Sequence, residues 1–202
     1  MARDEPSWYL LGRRQPAARV VGIPDSRVRT CGESVTASSI PGDTLGDALA
    51  FGIRRATPKD LPVIAALERE LVRTDAPGDP YLVRSWTQQE VEERFHPVIA
   101  AGWAVCLGAE CGGRVVGYLS GGIKDPPWWR PVKATEIHSI YVEEQFRSRG
   151  FGAQLIDAFV RWSRDHDAQV VEVGAFASNV RAIKFYEKTG FQPALIHLEL
   201  PL

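Results

Sequence analysis

Apolar residues fall into sustained periods only from about residue 50 onward, and the period then changes several times. FGIRRA, at 51–56, reads as a strand. Thr57 follows as an N-cap, with Pro58 at the first helical position, Asp60 in the first turn, and Ile64, Leu67, Leu71 and Val72 as one helical stripe. A second helix is expected from Thr87 through Glu90, Val91, Phe95 and Val98 to Gly102, its carboxylates near the end that the helix dipole favours. WAVCLGA and RVVGYLSGG read as strands joined in a hairpin through Glu110, Cys111, Gly112 and Gly113. Residues 124–133, with Asp125, Pro126, Pro127 and Pro131 around Trp128 and Trp129, form a loop, and the β-branched and aromatic run ATEIHSIYV forms the next strand. The stripe Leu155, Phe159 and Trp162 predicts a helix, QVVEVGAF a strand, the residues up to Gly190 a short helix, and PALIHLEL a last strand.

The order β-α-α-β-β-β-α-β-α-β, hairpins first and a strand-helix-strand crossover later, predicts an α/β (α+β) fold: a mixed, mostly antiparallel sheet flanked by helices. Residues 1–50 scatter Gly, Pro, Ser and Thr among charges and read as an N-terminal extension; residues 51–202 form the domain.

Composition narrows the classes of partner. In 202 residues, 24 Lys and Arg stand against 25 Asp and Glu, so the net charge of -1 offers no broad positive field for nucleic acid or a membrane surface. Cys31, Cys106 and Cys111 are an odd set without zinc-ligand spacing, which predicts plain thiols in a reducing compartment and no metal site. The apolar stretch 8–11 is too short for a signal-peptide core and no later segment reaches a membrane-spanning length, so a soluble, cytoplasmic protein is expected.

The segment Val142-Glu143-Glu144-Gln145-Phe146-Arg147-Ser148-Arg149-Gly150-Phe151-Gly152 joins a strand to a helix through a turn with two glycines. Such a turn aims backbone N–H groups at one point, where the helix dipole favours a pyrophosphate, and Arg147 and Arg149 add charge. A lone GxG turn also serves ordinary strand-to-helix packing. Here, however, Arg147 to Gly152 matches the [QR]-x-x-G-x-[GA] pattern of GNAT acetyltransferases, and it follows a strand ending in Ile140, Tyr141 and Val142, as in that superfamily. Asn179-Val180-Arg181-Ala182-Ile183-Lys184-Phe185-Tyr186-Glu187-Lys188-Thr189-Gly190-Phe191 resembles the family's N-x-x-A-x-x-x-Y-x-x-x-G-F segment, and Ile53 to Leu61 resembles its opening strand and helix. The resemblance covers about residues 51–202.

It implies an acyl-CoA N-acyltransferase fold and direct transfer of an acetyl group from acetyl-CoA to a primary amine. The pyrophosphate would lie on the backbone of Arg147, Ser148, Arg149, Gly150, Phe151 and Gly152, with Asn179 at the cofactor. The pantetheine arm would pair with the backbone near Ile140, Tyr141 and Val142, where the motif strand splays from the next. Tyr186 would protonate the departing thiolate, or is instead an aromatic packing residue between Phe185 and Phe191. Asn179 also reads as a helix N-cap. For the base, Glu136, eleven residues before Arg147, and His138, two further along the same strand face, are the candidates; the alternatives are a solvated carboxylate and a hydrogen-bonded core histidine. Trp128, Trp129 and Arg130 border the acceptor site, pack their loop or form a homodimer contact. Asp75, Asp79, Glu90, Glu92 and Glu93 could form an acidic acceptor cleft for a polycation and are as easily explained as solvated surface, while Asp157, Arg161, Arg164 and Asp165 read as a solvated face. A non-catalytic acyl-CoA-binding domain and a partner-binding scaffold are the rival functions; the acceptor is a small molecule or a protein amine.

Overall fold

A computed structural model describes residues 29–30, 50–75 and 86–201. Its elements are β1 (Arg29–Thr30), β2 (Ala50–Arg55), α1 (Leu61–Asp75), α2 (Gln88–Ala100), β3 (Ala104–Cys111), β4 (Arg114–Lys124), β5 (Ala134–Val142), α3 (Phe151–Asp165), β6 (Val170–Val173) and α4 (Val180–Lys188). The strands form one sheet in chain order, antiparallel from β1 to β5, with β5 and β6 parallel across the α3 crossover. This is the mixed, mostly antiparallel sheet that the element order predicts.

Each face of the sheet carries its own core. On one side α3 lays Phe151, Leu155, Phe159 and Trp162 over Leu107, Val116, Leu119 and Ile137. On the other, Ile64 and Leu67 of α1 and Val91 and Phe95 of α2 cover Cys106 and Tyr118. The β3–β4 hairpin closes through Gly112 and Gly113, both at positive φ (58° and 75°), where a Cβ is strained. Thr87 caps α2 by accepting from the Glu90 N–H at 3.2 Å, while Glu90 accepts from the Thr87 N–H at 2.7 Å. Pro97 sits inside α2.

Several expectations differ from the fold. Helix α1 proper starts at Leu61, because Thr57 opens a 3-10 turn over Pro58–Asp60 first. The strand expected over QVVEVGAF is cut to Val170–Val173, and Gly174 to Phe176 turn away from the sheet. PALIHLEL forms no strand: Leu195, Ile196, Leu198 and Leu200 are more than 80% exposed. Its alternation supplies propensity, but a strand needs a partner to persist, and Pro193 has no N–H to give a ladder. Arg29–Thr30, within the expected extension, pairs with Phe51 and Ala50. The rest of residues 1–49, including Cys31, and Asp79 lie outside the described residues.

Cys106 and Cys111 are buried and free of any disulfide; burial pushes the Cys106 thiol up to about 12, which removes it as a nucleophile. Asp157, Arg161, Arg164 and Asp165 are all exposed on α3, as a solvated face should be. Among the described residues, no helix is long and apolar enough to cross a membrane, and no group of His, Cys, Asp and Glu side chains is arranged to hold a metal ion.

The corner between β2 and α1 is held by charge. Arg54 donates to both Asp60 oxygens, at 2.8 and 2.9 Å, and the Thr57 N–H adds 2.7 Å to Oδ2. The Arg54 guanidinium, with Thr57, holds the Asp60 carboxyl well below the ordinary carboxylate range despite its burial. A depressed folded pKa contributes stability that is complete above the unfolded value and lost as pH falls toward the folded one. Asp60→Asn is therefore expected to cost about 1–3 kcal/mol in urea unfolding at pH 7. That gap should narrow as unfolding is repeated at pH values falling below about 4.

Candidate active site

Strands β5 and β6 run together only briefly. Ala134 to Ile137 pair with Val170 to Val173, and there the ladder stops, although β5 continues for five residues, His138 to Val142. At the same point β5 carries a bulge: Ser139 pairs with Ser120 and Ile137 with Gly121 of β4, so His138 is the inserted residue. Gly121 makes the approach feasible, since a Cβ there would lie 2.5 Å from the Glu136 carbonyl and 2.6 Å from the Phe159 ring. An open cleft of ≈ 1110 Å³ fills the gap, lined along one wall by His138, Ile140, Tyr141 and Val142 and along the other by Gly174, Ala175 and Phe176.

The start of α3 forms the floor at one end. Gly150, its N-cap, has φ 87° and brings no capping side chain; the first intrahelical bond runs from the Gln154 N–H to the Gly150 carbonyl at 3.1 Å. The amides of Phe151, Gly152 and Ala153 therefore emerge from the positive end of a 15-residue helix. Ser148 is held at φ 62°, a left-handed conformation that a non-glycine residue keeps only when its surroundings impose it. Arg147 is one such constraint: its Nε donates to the Val142 carbonyl at 2.8 Å and its guanidinium lies 5.1 Å from the Tyr141 ring centre. Arg149 lies 5.6 Å from the ring centre of Phe146. Gly152 serves packing as well, for a Cβ there would meet the Phe185 ring at 2.9 Å.

Helix α4 closes the far wall. Asn179 caps it, its Oδ1 accepting from the Ala182 N–H at 3.0 Å, while its Nδ2 donates to Asp75 Oδ1 at 3.1 Å and ties α4 to the end of α1. Tyr186 lines the cleft and also packs edge-on to Phe191, with ring centres 5.7 Å apart. Desolvation first, and then the charge of Asp75, push its phenol up to about 12, so it remains protonated at neutral pH.

The two candidate bases part company. His138 faces the cleft, and the protein around it lowers its pKa by desolvation, reinforced by Arg94 and Lys124 against the opposing pull of Glu136. Glu136 is not part of the cleft lining: it accepts from Lys124 Nζ at 3.1 Å, and Lys124 also reaches Glu172 at 2.9 Å. Arg130 joins Glu172 from the other side, while Trp128 and Trp129 stand exposed at 92% and 61%. Ile140, Tyr141, Val142, Arg147, Ser148, Gly150, Phe151, Gly152, Asn179, Tyr186 and His138 thus share one cleft; Glu136 and Arg149 do not line it. Sequence reasoning gave no role to Arg181, Lys184 and Lys188, which line the cleft from one face of α4, and left Asp75, which also lines it, between an acidic acceptor cleft and solvated surface. Their spacing of three and four was the available signal for the cations.

The profile of the Acetyltransferase (GNAT) family matches residues 69–191, more than half of the chain, and so includes the cleft-lining residues. The L-methionine sulfoximine/L-methionine sulfone acetyltransferase of Pseudomonas aeruginosa is 27% identical over 150 residues, covering 71% of this chain and 81% of that protein. A mutant of a Bacillus halodurans protein has the same fold, with a TM-score of 0.69 at 22% identity over 74% of this chain and 98% of its own. So has the aminoglycoside N-acetyltransferase AAC(6')-Iy in complex with CoA, with a TM-score of 0.66 at 17% identity over 79% and 99%. A strand pair parted over an uncapped helix start, within a matched stretch of this length, identifies the chain as an N-acetyltransferase belonging to the acetyltransferase (GNAT) family.

Proposed function

We propose that the chain transfers an acetyl group from acetyl-CoA to a primary amine of a small molecule by direct attack. The observation that carries this reading is the parting of β5 from β6 directly beside the uncapped amides of α3. A polyanionic ligand fits the amides of Phe151, Gly152 and Ala153, with Arg147, Arg181, Lys184 and Lys188 on the same cleft. An extended arm fits the edge of β5 from His138 to Val142, where it takes the hydrogen bonds that β6 does not. AAC(6')-Iy binds CoA, which supports the same ligand here. The Pseudomonas aeruginosa enzyme is named for small amines, which supports an acceptor of that size.

Acetyl-CoA supplies an activated thioester; the chain supplies orientation and proton transfer. In this reading His138 accepts the amine proton, because it faces the cleft and its lowered pKa keeps the imidazole neutral at pH 7. Glu136, held by Lys124, is assigned to structure. Tyr186 gives its proton to the thiolate, and backbone N–H groups on β5 polarise the thioester carbonyl. The catalytic domain spans about residues 51–202, preceded by an extension. The buried thiols of Cys106 and Cys111 fit a reducing cytoplasm.

Isothermal titration of acetyl-CoA tests the central claim. Saturable binding is expected for the wild type and not for Gly150→Trp, whose side chain would stand where the anion approaches and whose φ of 87° disfavours any Cβ. A folded wild type that fails to bind would reduce the family match to a scaffold.

The roles of the side chains separate kinetically, with L-methionine sulfone and an aminoglycoside as first acceptors and released thiol as the signal. Tyr186→Phe should lower kcat about 100-fold and leave acetyl-CoA affinity unchanged; undiminished turnover would remove the phenol from the mechanism. For the wild type, kcat/KM should fall only as pH drops below the ordinary histidine value of about 6.5, because the folded pKa of His138 is lowered. His138→Gln should flatten that acid limb, whereas an unchanged limb would assign the proton to another group.

A further inference from the structure

The cleft is electrically polar. Arg147, Arg181, Lys184 and Lys188 line it together with the start of α3, and the lining contains one carboxylate among the described residues, Asp75. That carboxylate sits at the end of α1, against Tyr186, whose phenol feels its charge. Its Oδ1 is fixed by Asn179 at 3.1 Å, and its other oxygen has no partner among the described residues. Leu71 and Thr74, from the same end of α1, line the cleft with it. A half-buried carboxylate costs solvation free energy, and a cation at its second oxygen offsets that cost.

Resting on the acetyl-transfer reading, we propose that Asp75 is the binding site for the acceptor's ammonium group. The acceptor class is then an amine that enters as a cation and is drawn to the one carboxylate that the described lining offers, beside Tyr186. Asn179 is the positioning residue: one side-chain amide caps α4 with its oxygen and orients Asp75 with its nitrogen, so the anchor is set by the same group that starts the helix carrying Tyr186. The α1 helix ends on this carboxylate, which explains why a residue remote in sequence from the motif turn belongs to the site.

Two CoA thioethers test this without knowledge of the natural acceptor: S-(3-aminopropyl)-CoA, ending in an ammonium, and S-(3-hydroxypropyl)-CoA, its neutral counterpart. By isothermal titration at pH 7 the full-length wild type should bind the ammonium compound about tenfold more tightly than the alcohol. Asp75→Asn, which keeps the shape and a partner for Asn179, should bind both equally, with the affinity for the alcohol unchanged. Equal binding of both by the wild type, or a preference that survives in Asp75→Asn, would overturn the anchor while leaving the CoA site in place. Equal weakening of both compounds in the variant would reassign Asp75 to a structural latch between α1 and α4. Binding of neither by the wild type would reject the acetyl-transfer reading and the anchor with it.

Discussion

Main-chain hydrogen-bonding groups buried at a sheet edge must find partners, and the cleft exists because β5 is denied its own. Beyond Ile137 and Val173 the two parallel strands separate, so the groups that β5 turns toward the gap from His138 to Val142 have only solvent or a ligand to meet. The separation has a local cause. Inserting His138 into β5 opposite Ser120 and Gly121 adds twist and leads the strand away from its neighbour. The crossover helix then begins at the mouth of the gap, which sets its orphan amides beside the unpaired strand edge. Two kinds of unsatisfied backbone thus converge, one linear and one focal, and together they outline an extended ligand with a charged end.

Around this backbone frame the side chains differ in how firmly they are held. Arg147 is tied to the Val142 carbonyl and the Tyr141 ring and acts first as a brace for the turn, with its charge available at the cleft surface. Asn179 is equally committed, since both ends of its amide are used. Tyr186 is wedged by Phe191 and Phe185 and still lines the cleft, so packing against these rings does not withdraw it from the cleft surface. The ladder of Lys124, Glu136, Glu172 and Arg130 instead spans three strands and the loop between them, and stabilises the short parallel pairing just before it ends.

What could be read from sequence was what is encoded within a few residues. The glycine pair of the β3–β4 turn, the Thr57 and Thr87 helix starts, the stripe of α3 and the 147–152 turn each carry a local signature, and each stands in the structure. The bulge carries none. Period-two counting put His138 and Glu136 on one face of one strand, and a single inserted residue sends them to different surroundings. Asp75 could not be told from a surface carboxylate because its partner, Asn179, comes from the start of α4, about a hundred residues later. The end of β6 and the unpaired run PALIHLEL miss for the same reason: alternation reports which residues tolerate a strand, whereas pairing is decided by which neighbour is present.

The amides of Phe151, Gly152 and Ala153 and the edge of β5 are common to every amino acid except where proline intrudes. Hydrogen bonds from such groups depend on the path of the backbone and not on which side chain stands at each position. Chains sharing 17% to 22% of their residues with this one keep the same architecture over nearly their whole length. A side chain is costly where the backbone needs room, as at Gly121 beneath the bulge and Gly152 against Phe185. Side chains that α1 and α4 bring to the cleft wall can, by contrast, be exchanged without disturbing those main-chain groups.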